Sequence, residues 1–574
     1  MSYQFDIVVR GGTVVDGTGA PPFVADVAIS GREIVKVGTV VERGSTEIDA
    51  RGKLVTPGFV DIHTHYDAQS VWDSRLAPSS WHGVTTVVMG NCGVGFAPCR
   101  PADRDKLVEL MEGVEDIPGA VMHEGLVWDW ESFADYLGTV ERRPHDVDIA
   151  ALLPHAALRV YVMGDRAVRL EDANAHDIAE MRKIACEAIQ AGAFGFSTSR
   201  LSAHKNLSGE FTPTLRARED ELTGIAMGLA DAGKGFMEVV SEWVQPNPRD
   251  EFAMLRRIAE HSGRPILFSL VQRDSELNAW RELLTFADEA INDGLSIRPV
   301  VAARAIGVLF GLEFTQNPFT ATPTYKSIAG LPLEERVRKM KDPATRQKIL
   351  SEDPRKDSVF PIMNRLSYER MFRFGNPAEY EPKREDSIAA IAKREGRTPP
   401  EVAYDVLLED GGHGLLYLAV ANYANFDLSA SEEMLAYPHS IMGLGDGGAH
   451  VGFILDAGFP TWMITHWNKK RQRFDLPETI RRITSIPASA VGMNDRGIIA
   501  AGKKADLNVI DYDKIGFGHP YITHDLPAGG KRLMQKATGY CATIVSGRVT
   551  YIDGEATGEL PGRLVRGPQA QLAG

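Results

Sequence analysis

Cysteine is scarce in this chain. There are 4 in 574 residues, at Cys92, Cys99, Cys186 and Cys541, too few for a disulfide framework to hold a protein of this size. Positive charge is also in deficit. Sixty-three Lys and Arg stand against 77 Asp and Glu, a formal net charge of −14. Phosphate neutralisation needs clustered cations, so the balance argues against a nucleic-acid partner. No uninterrupted apolar run approaches the ~18 residues of a membrane span. The opening Met1-Ser2-Tyr3-Gln4-Phe5-Asp6 has neither the basic nor the apolar region of a signal peptide. A cytoplasmic protein without membrane partners is the expectation. No Gly-x-Gly-x-x-Gly turn follows an early apolar run, which disfavours a dinucleotide-binding sheet. Internal repeats and low-complexity tracts are absent as well.

What is present divides by texture. Residues 1–56 alternate short apolar runs with glycines, as in 5–10 and 26–30, and read as antiparallel strands with tight turns. The texture returns at 505–511, 542–545 and 548–552, so residues 497–555 form the second such block. Residues 57–496 alternate strand-like with helix-like patterns. Residues 148–153 precede the periodic stretch 173–190, 235–240 precede 248–262, and 265–270 precede 277–294. A β-then-α rhythm predicts a parallel sheet. Eight such units close a TIM (β/α)8 barrel with its chemistry at the C-terminal strand ends. Residues of about 313–400 break the rhythm with prolines and charges. They are predicted to be an insertion over the barrel mouth, either a lid, or a surface elaboration or oligomer contact. Residues 556–574 read as an irregular tail.

The densest chemistry lies in Pro57-Gly58-Phe59-Val60-Asp61-Ile62-His63-Thr64-His65. Side chains at i and i+2 of an extended strand share a face, so His63 and His65 project together, with Asp61 on the same side. Two converging imidazoles can hold a divalent metal. Other polar groups also follow apolar runs: Asn91 and Cys92 in Gly90-Asn91-Cys92-Gly93, His155 after Pro154, Ser197-Thr198-Ser199, and Asp446 in Gly445-Asp446-Gly447-Gly448-Ala449-His450.

These motifs, in this order, resemble the amidohydrolase superfamily and more narrowly its N-acyl-D-amino-acid deacylase (D-aminoacylase) branch. The opening Asp6–Gly17 region, the strand-2 run 83–93 and the late segment 502–511 are similar to that branch too. The resemblance implies that both chain ends join in one small β-sandwich domain beside the barrel. It implies a metal-dependent hydrolase of a linear amide C–N bond, most simply an N-acyl-D-amino acid, and a homo-oligomer. It also implies metal ligation by His63, His65, Cys92 and Asp446, with Asp446 as the catalytic acid–base. Zinc is the expected ion for such a donor set, one ion rather than two. Read from residues alone, Cys92 is either a thiolate ligand or a small buried hydrophobe.

The chain departs from the branch where a histidine is expected on strands 5 and 6. Strand 5 carries Glu238, either a site carboxylate or a buried partner for a cation, and on strand 6 Leu270 and Gln272 stand where a ligand His and a substrate-binding Lys are expected. Four more residues are candidates for contact. Arg200 is either a carboxylate clamp or half of a structural ion pair. His155 is either an orienting group or a core histidine. His204 lies just beyond strand 4. His450, four residues past Asp446, is expected one helical turn on, behind the ligands. Two alternatives accompany the deacylase reading. A hydantoinase-like cyclic-amide hydrolase is weakened because Ser197-Thr198-Ser199 offers no lysine for carboxylation. A degenerate, non-catalytic binding protein is motivated by the missing histidines.

Overall fold

Apolar alternation near the start gives the strands Phe5–Val14, Phe23–Ser30, Glu33–Gly38, Gly44–Asp49 and Leu54–Pro57. The computed structural model describes residues 4–243, 247–355 and 366–568. Leu54–Pro57 pairs antiparallel with Leu507–Ile510, which pairs in turn with Tyr540–Val545. Strands from both chain ends thereby complete one nine-stranded sheet. Its buried face gathers Ile7, Val9, Val27 and Val55 from one end with Leu507, Val509 and Ile544 from the other. Neither end supplies enough apolar area alone, so the long intervening chain returns to the same sheet.

Eight parallel strands follow: β1 (Phe59–Asp61), β2 (Val84–Met89), β3 (Asp148–Pro154), β4 (Gly195–Arg200), β5 (Phe236–Ser241), β6 (Ile266–Leu270), β7 (Ile297–Val301) and β8 (Ile441–Met442). Each pairs with its successor. The ring closes just past β1 and β8, where His65 N–H donates to the Gly447 carbonyl at 2.7 Å and Asp446 N–H to the His63 carbonyl at 3.0 Å. The chain is a TIM barrel, filled by Val60, Val88, Leu152, Phe236, Leu267, Val300 and Ile441, with Ala488 and Val491 packed against that core. Helices between the strands, among them Ala175–Ala191, Pro248–Ser262 and Ala279–Asn292, keep to the predicted stretches within a few residues.

Between β7 and β8 the chain builds a second unit. An antiparallel sheet of Ile306–Phe310, Leu415–Ala421 and Met371–Phe374 carries helices such as Leu333–Lys341 and Pro399–Leu407. Val308, Phe310, Met340, Tyr404 and Leu416 form a core of its own. The break in rhythm read at 313–400 lies inside this wider unit, whose outer strands look like ordinary barrel strands in sequence. Its residues 356–365 fall outside the described residues. The tail docks on this same chain: Gly562 N–H donates to the His145 carbonyl and Val565 N–H to that of Ile149. Residues 569–574 of the predicted tail lie outside the described residues. Among the described residues no helix is long and apolar enough to cross a membrane.

One buried charge cluster joins the two layers. Asp148, at the start of β3, meets Arg496 at 2.8 Å and Lys504 at 3.0 Å, and Lys504 also pairs with Asp506 beside the nine-stranded sheet. Burial opposes the Asp148 charge, but Lys504 and Arg496 outweigh it and hold the carboxyl down at about 2. Asp148→Ala leaves two buried cations under-compensated and is expected to cost about 3–5 kcal/mol. The check is urea denaturation followed by tryptophan fluorescence.

Candidate metal centre

The C-terminal ends of β1, β2, β5 and β8 converge on one spot. His63 and His65 leave β1 on the same face, as the i, i+2 spacing dictates. Their Nε2 atoms both point at Asp446 Oδ1, at 3.3 and 3.6 Å. Cys92 Sγ lies 3.4 Å from His63 Nε2. Donor atoms of His63, His65 and Cys92 all lie within 4.8 Å of one another. Donors held by one tetrahedral zinc at about 2.0–2.3 Å stand about 3.3–3.8 Å apart, which the 3.3, 3.4 and 3.6 Å approaches match.

The backbone is strained where these groups meet. Cys92, Leu444, Asp446 and His450 have φ of 54°, 57°, 47° and 46°, a region that costs non-glycine residues free energy and clusters at functional sites. Gly448, at φ 89°, also needs its lack of a side chain, because an added Cβ would lie 2.7 Å from the His65 carbonyl oxygen. The glycines after Asp446 therefore serve packing against the β1 loop.

Charge in the site is lopsided. Asp61, Asp67, Glu115, Glu238 and Asp446 surround the two imidazoles, and Asp61, Asp67, Glu115 and Glu238 are almost fully buried. Among the described residues, the ion pairs that reach Glu115, Glu238 and Asp446 come from histidines, with no lysine or arginine. Burial pushes Glu238 up to about 8 and Asp61 also to about 8. Burial lowers His63 to about 4. It opposes a charge on His65 too, but Glu115 and Asp446 outweigh it and raise that ring to about 9. Asp446 is half-buried; desolvation opposes its charge, yet the His65 hydrogen bond and the nearby His63 hold its carboxyl well below the usual range. Burial, then Glu238 and Asp446, drive the Cys92 thiol up. Asp61 Oδ2, Glu115 Oε2, Glu238 Oε1 and His65 Nδ1 are buried without a hydrogen-bond partner. Uncompensated negative charge around two imidazoles and a thiol is what a divalent cation relieves, and the donor set fits one.

Above the cluster lies a cavity of about 600 Å³. His63, His65, Cys92, Glu115, His204, Asp446 and His450 line it along with Leu201, Val240, Val271, Val420 and Leu444. The inserted unit contributes Ile306, Ser367, Arg370 and residues 419–421, so the insertion walls the mouth. Cationic groups in the wall are Arg273 and Arg370. Arg370 is committed to Asp274 and to the carbonyls of Tyr423 and Ala424, whereas Arg273 gives one Nη to Glu276 at 2.8 Å.

Several sequence candidates go elsewhere. His155 is sealed in the core, 2.8 Å from Thr198 Oγ1 and 2.9 Å from Glu221 Oε1, because the helix holding Glu221 packs behind β4. Arg200 is tied to Glu251 and to the Ala217 carbonyl, so its fork is filled by the protein. His204 does reach the cavity, with Nδ1 2.8 Å from Ser199 Oγ, and burial lowers it to about 3. His450 follows a turn rather than a helix and lines the cavity itself. Gln272 faces away, accepting from Ala424 N–H at 3.1 Å.

Glu115 was not among the candidates. It ends the helix Arg104–Glu115, remote from the barrel strands in sequence, and puts Oε1 3.2 Å from His65 Nδ1. The available signal was its place four residues past Met111 and eight past Leu107, on the apolar stripe of that helix.

In sequence, residues 46–551 match the Amidohydrolase family. A D-aminoacylase of Alcaligenes xylosoxydans xylosoxydans is 33% identical over 233 residues, 40% of this chain and 43% of that one. An N-acyl-D-glutamate deacylase of the same organism is 25% identical over 526 residues, 90% of this chain and 89% of the other. A solved D-aminoacylase superposes with a TM-score of 0.64 at 23% identity, covering 98% of this chain and all of the other. An N-acyl-D-glutamate deacylase of Bordetella bronchiseptica, solved with zinc and a phosphonate mimic of the tetrahedral intermediate, gives 0.65 at 21% identity over 98% and 99% of the two chains.

Proposed function

The chain belongs to the amidohydrolase family, in its D-aminoacylase-like branch, and from that premise we propose that it is a metal-dependent hydrolase of N-acyl amino acids. The observation that carries this reading is the convergence of His63, His65, Cys92 and Asp446 at the floor of a cavity the size of a small acylated amino acid. His63, His65 and Cys92 would hold a divalent ion, zinc by donor chemistry, with Asp446 as the further oxygen donor. The chemistry such an ion supplies is a more acidic water and a more polarised amide carbonyl.

The chain's own groups do the rest. Asp446, at the cavity floor beside both imidazoles, is the carboxylate placed to accept a proton from the attacking water. That proton passes to the amide nitrogen as the C–N bond breaks, giving a carboxylate and an amine. His204, neutral through burial, and His450 contact the substrate from the cavity wall. Leu201, Val240, Val271, Val420 and Leu444 give the acyl group or side chain an apolar surface and exclude water. Arg273 takes the substrate carboxylate in place of Arg200. On this reading Arg273→Ala raises KM about 10-fold or more with a smaller change in kcat, as expected for a charge-assisted hydrogen bond worth about 1.5–3 kcal/mol. Steady-state kinetics on one good substrate decides it.

The test of the reading is a panel of N-acyl-D- and N-acyl-L-amino acids, with hydantoins alongside, assayed by amine release with zinc present. Turnover of the D series supports the proposal. Turnover confined to hydantoins would transfer the site to cyclic amides. Binding without turnover, equal in wild type and Asp446→Asn, would make this a non-catalytic binding protein.

A further inference from the structure

We propose that the centre is built for a single divalent ion, with Glu238 and Glu115 as paired positioning carboxylates behind His63 and His65. This rests on the hydrolase reading above and specifies how that site is assembled.

The two imidazoles face the same kinds of group, with the His65–Glu115 approach the one within hydrogen-bond distance. Each turns Nε2 toward Asp446 Oδ1 and Nδ1 toward a buried glutamate. His65 Nδ1 is 3.2 Å from Glu115 Oε1, and His63 Nδ1 is 3.9 Å from Glu238 Oε1. The two ring nitrogens diverge, so an oxygen facing Nδ1 is turned away from an ion at Nε2. A carboxylate on the far nitrogen of a metal-bound histidine fixes its tautomer and orientation and raises its basicity. Glu238 acts on a second donor as well. Its Oε2 accepts the Cys92 backbone N–H at 3.1 Å and so helps hold Cys92 at its left-handed φ of 54°. One carboxylate thereby sets both a ring and a thiol.

A second ion has little to bind. β6 offers Leu270, fully buried, and Gln272, whose amide is spent on Ala424 and Leu277. On β5 Ser241 is engaged with Glu251. Of the carboxylates on and just past β5, Glu238 has one oxygen already accepting from Cys92, and Glu242 accepts from Ser202 N–H and Oγ–H, so little is left there for such an ion. No histidine from β5 or β6 is present to complete it.

The experiment is zinc titration of metal-stripped protein in competition with a chromogenic chelator, on wild type, Glu115→Gln and Glu238→Gln. Cobalt(II) spectra of the same three proteins accompany it. Wild type is expected to take up one zinc per chain. Both variants are expected to keep that stoichiometry with affinity about 10–100-fold weaker, and to retain a thiolate-to-cobalt band while the ligand-field bands shift. The isosteric variants are chosen to fold. If Glu238→Gln does not, Glu115→Gln alone carries the test, with melting of the metal-free form as its control. Two zinc ions in wild type falling to one in Glu238→Gln would overturn the inference and leave the hydrolase reading standing. Unchanged affinity in both variants would also overturn it. No zinc uptake by wild type would overturn both readings.

Discussion

Asp446→Asn is expected to lower kcat on the best N-acyl amino acid by about 10²–10⁴-fold, the usual contribution of a positioned general acid–base group. Asparagine keeps the size of the side chain and one carbonyl oxygen, and it tolerates the left-handed backbone that Asp446 adopts. What it loses is the charge and the capacity to take a proton. The protein is therefore expected to fold, to melt near the wild-type temperature and to bind substrate. Active-site titration beside steady-state kinetics makes the comparison. A variant within a factor of two of wild type would remove Asp446 from the proton-transfer role and with it the mechanism proposed here.

His63→Ala attacks the same centre from the other side. The ring makes the closest approaches to both Cys92 and Asp446, so its removal takes away a donor and opens a gap between the other two. Zinc per chain, measured by elemental analysis, is expected to fall from about one to near zero, with turnover falling in parallel. Wild type stripped by a chelator is expected to lose activity and recover it on adding zinc. His63→Ala is not expected to recover. Full activity in the stripped wild type would show that hydrolysis here needs no metal.

Much of this site is legible in the chain because its donors come from short motifs at strand ends. His63 and His65 share a face by strand periodicity, and Asp446 and Cys92 follow apolar runs that a parallel barrel must end at one rim. The barrel itself is readable from the β-then-α rhythm, although β7 hides behind Arg298 and Pro299, which interrupt its apolar run. His155 and Arg200 look like site residues for the same reason as the groups at the cavity floor, since each follows a strand. Their partners, Glu221 and Glu251, sit on helices that follow in the chain, and no local pattern says that a carboxylate there will turn inward.

The sequence alone determined the alternation that closes the barrel, the pairing of the two histidines and the absence of histidines on β5 and β6. Those are consequences of local periodicity and residue identity, which need no partner to be expressed. Tertiary structure decided which polar groups are already satisfied and which are left facing the cavity. It brought Glu115 to His65 from the end of a distant helix, turned Gln272 away and made Arg273 a cationic group of the wall. Such outcomes depend on long-range packing, because a buried charge is stable only where the fold delivers a counter-charge or a cation to it.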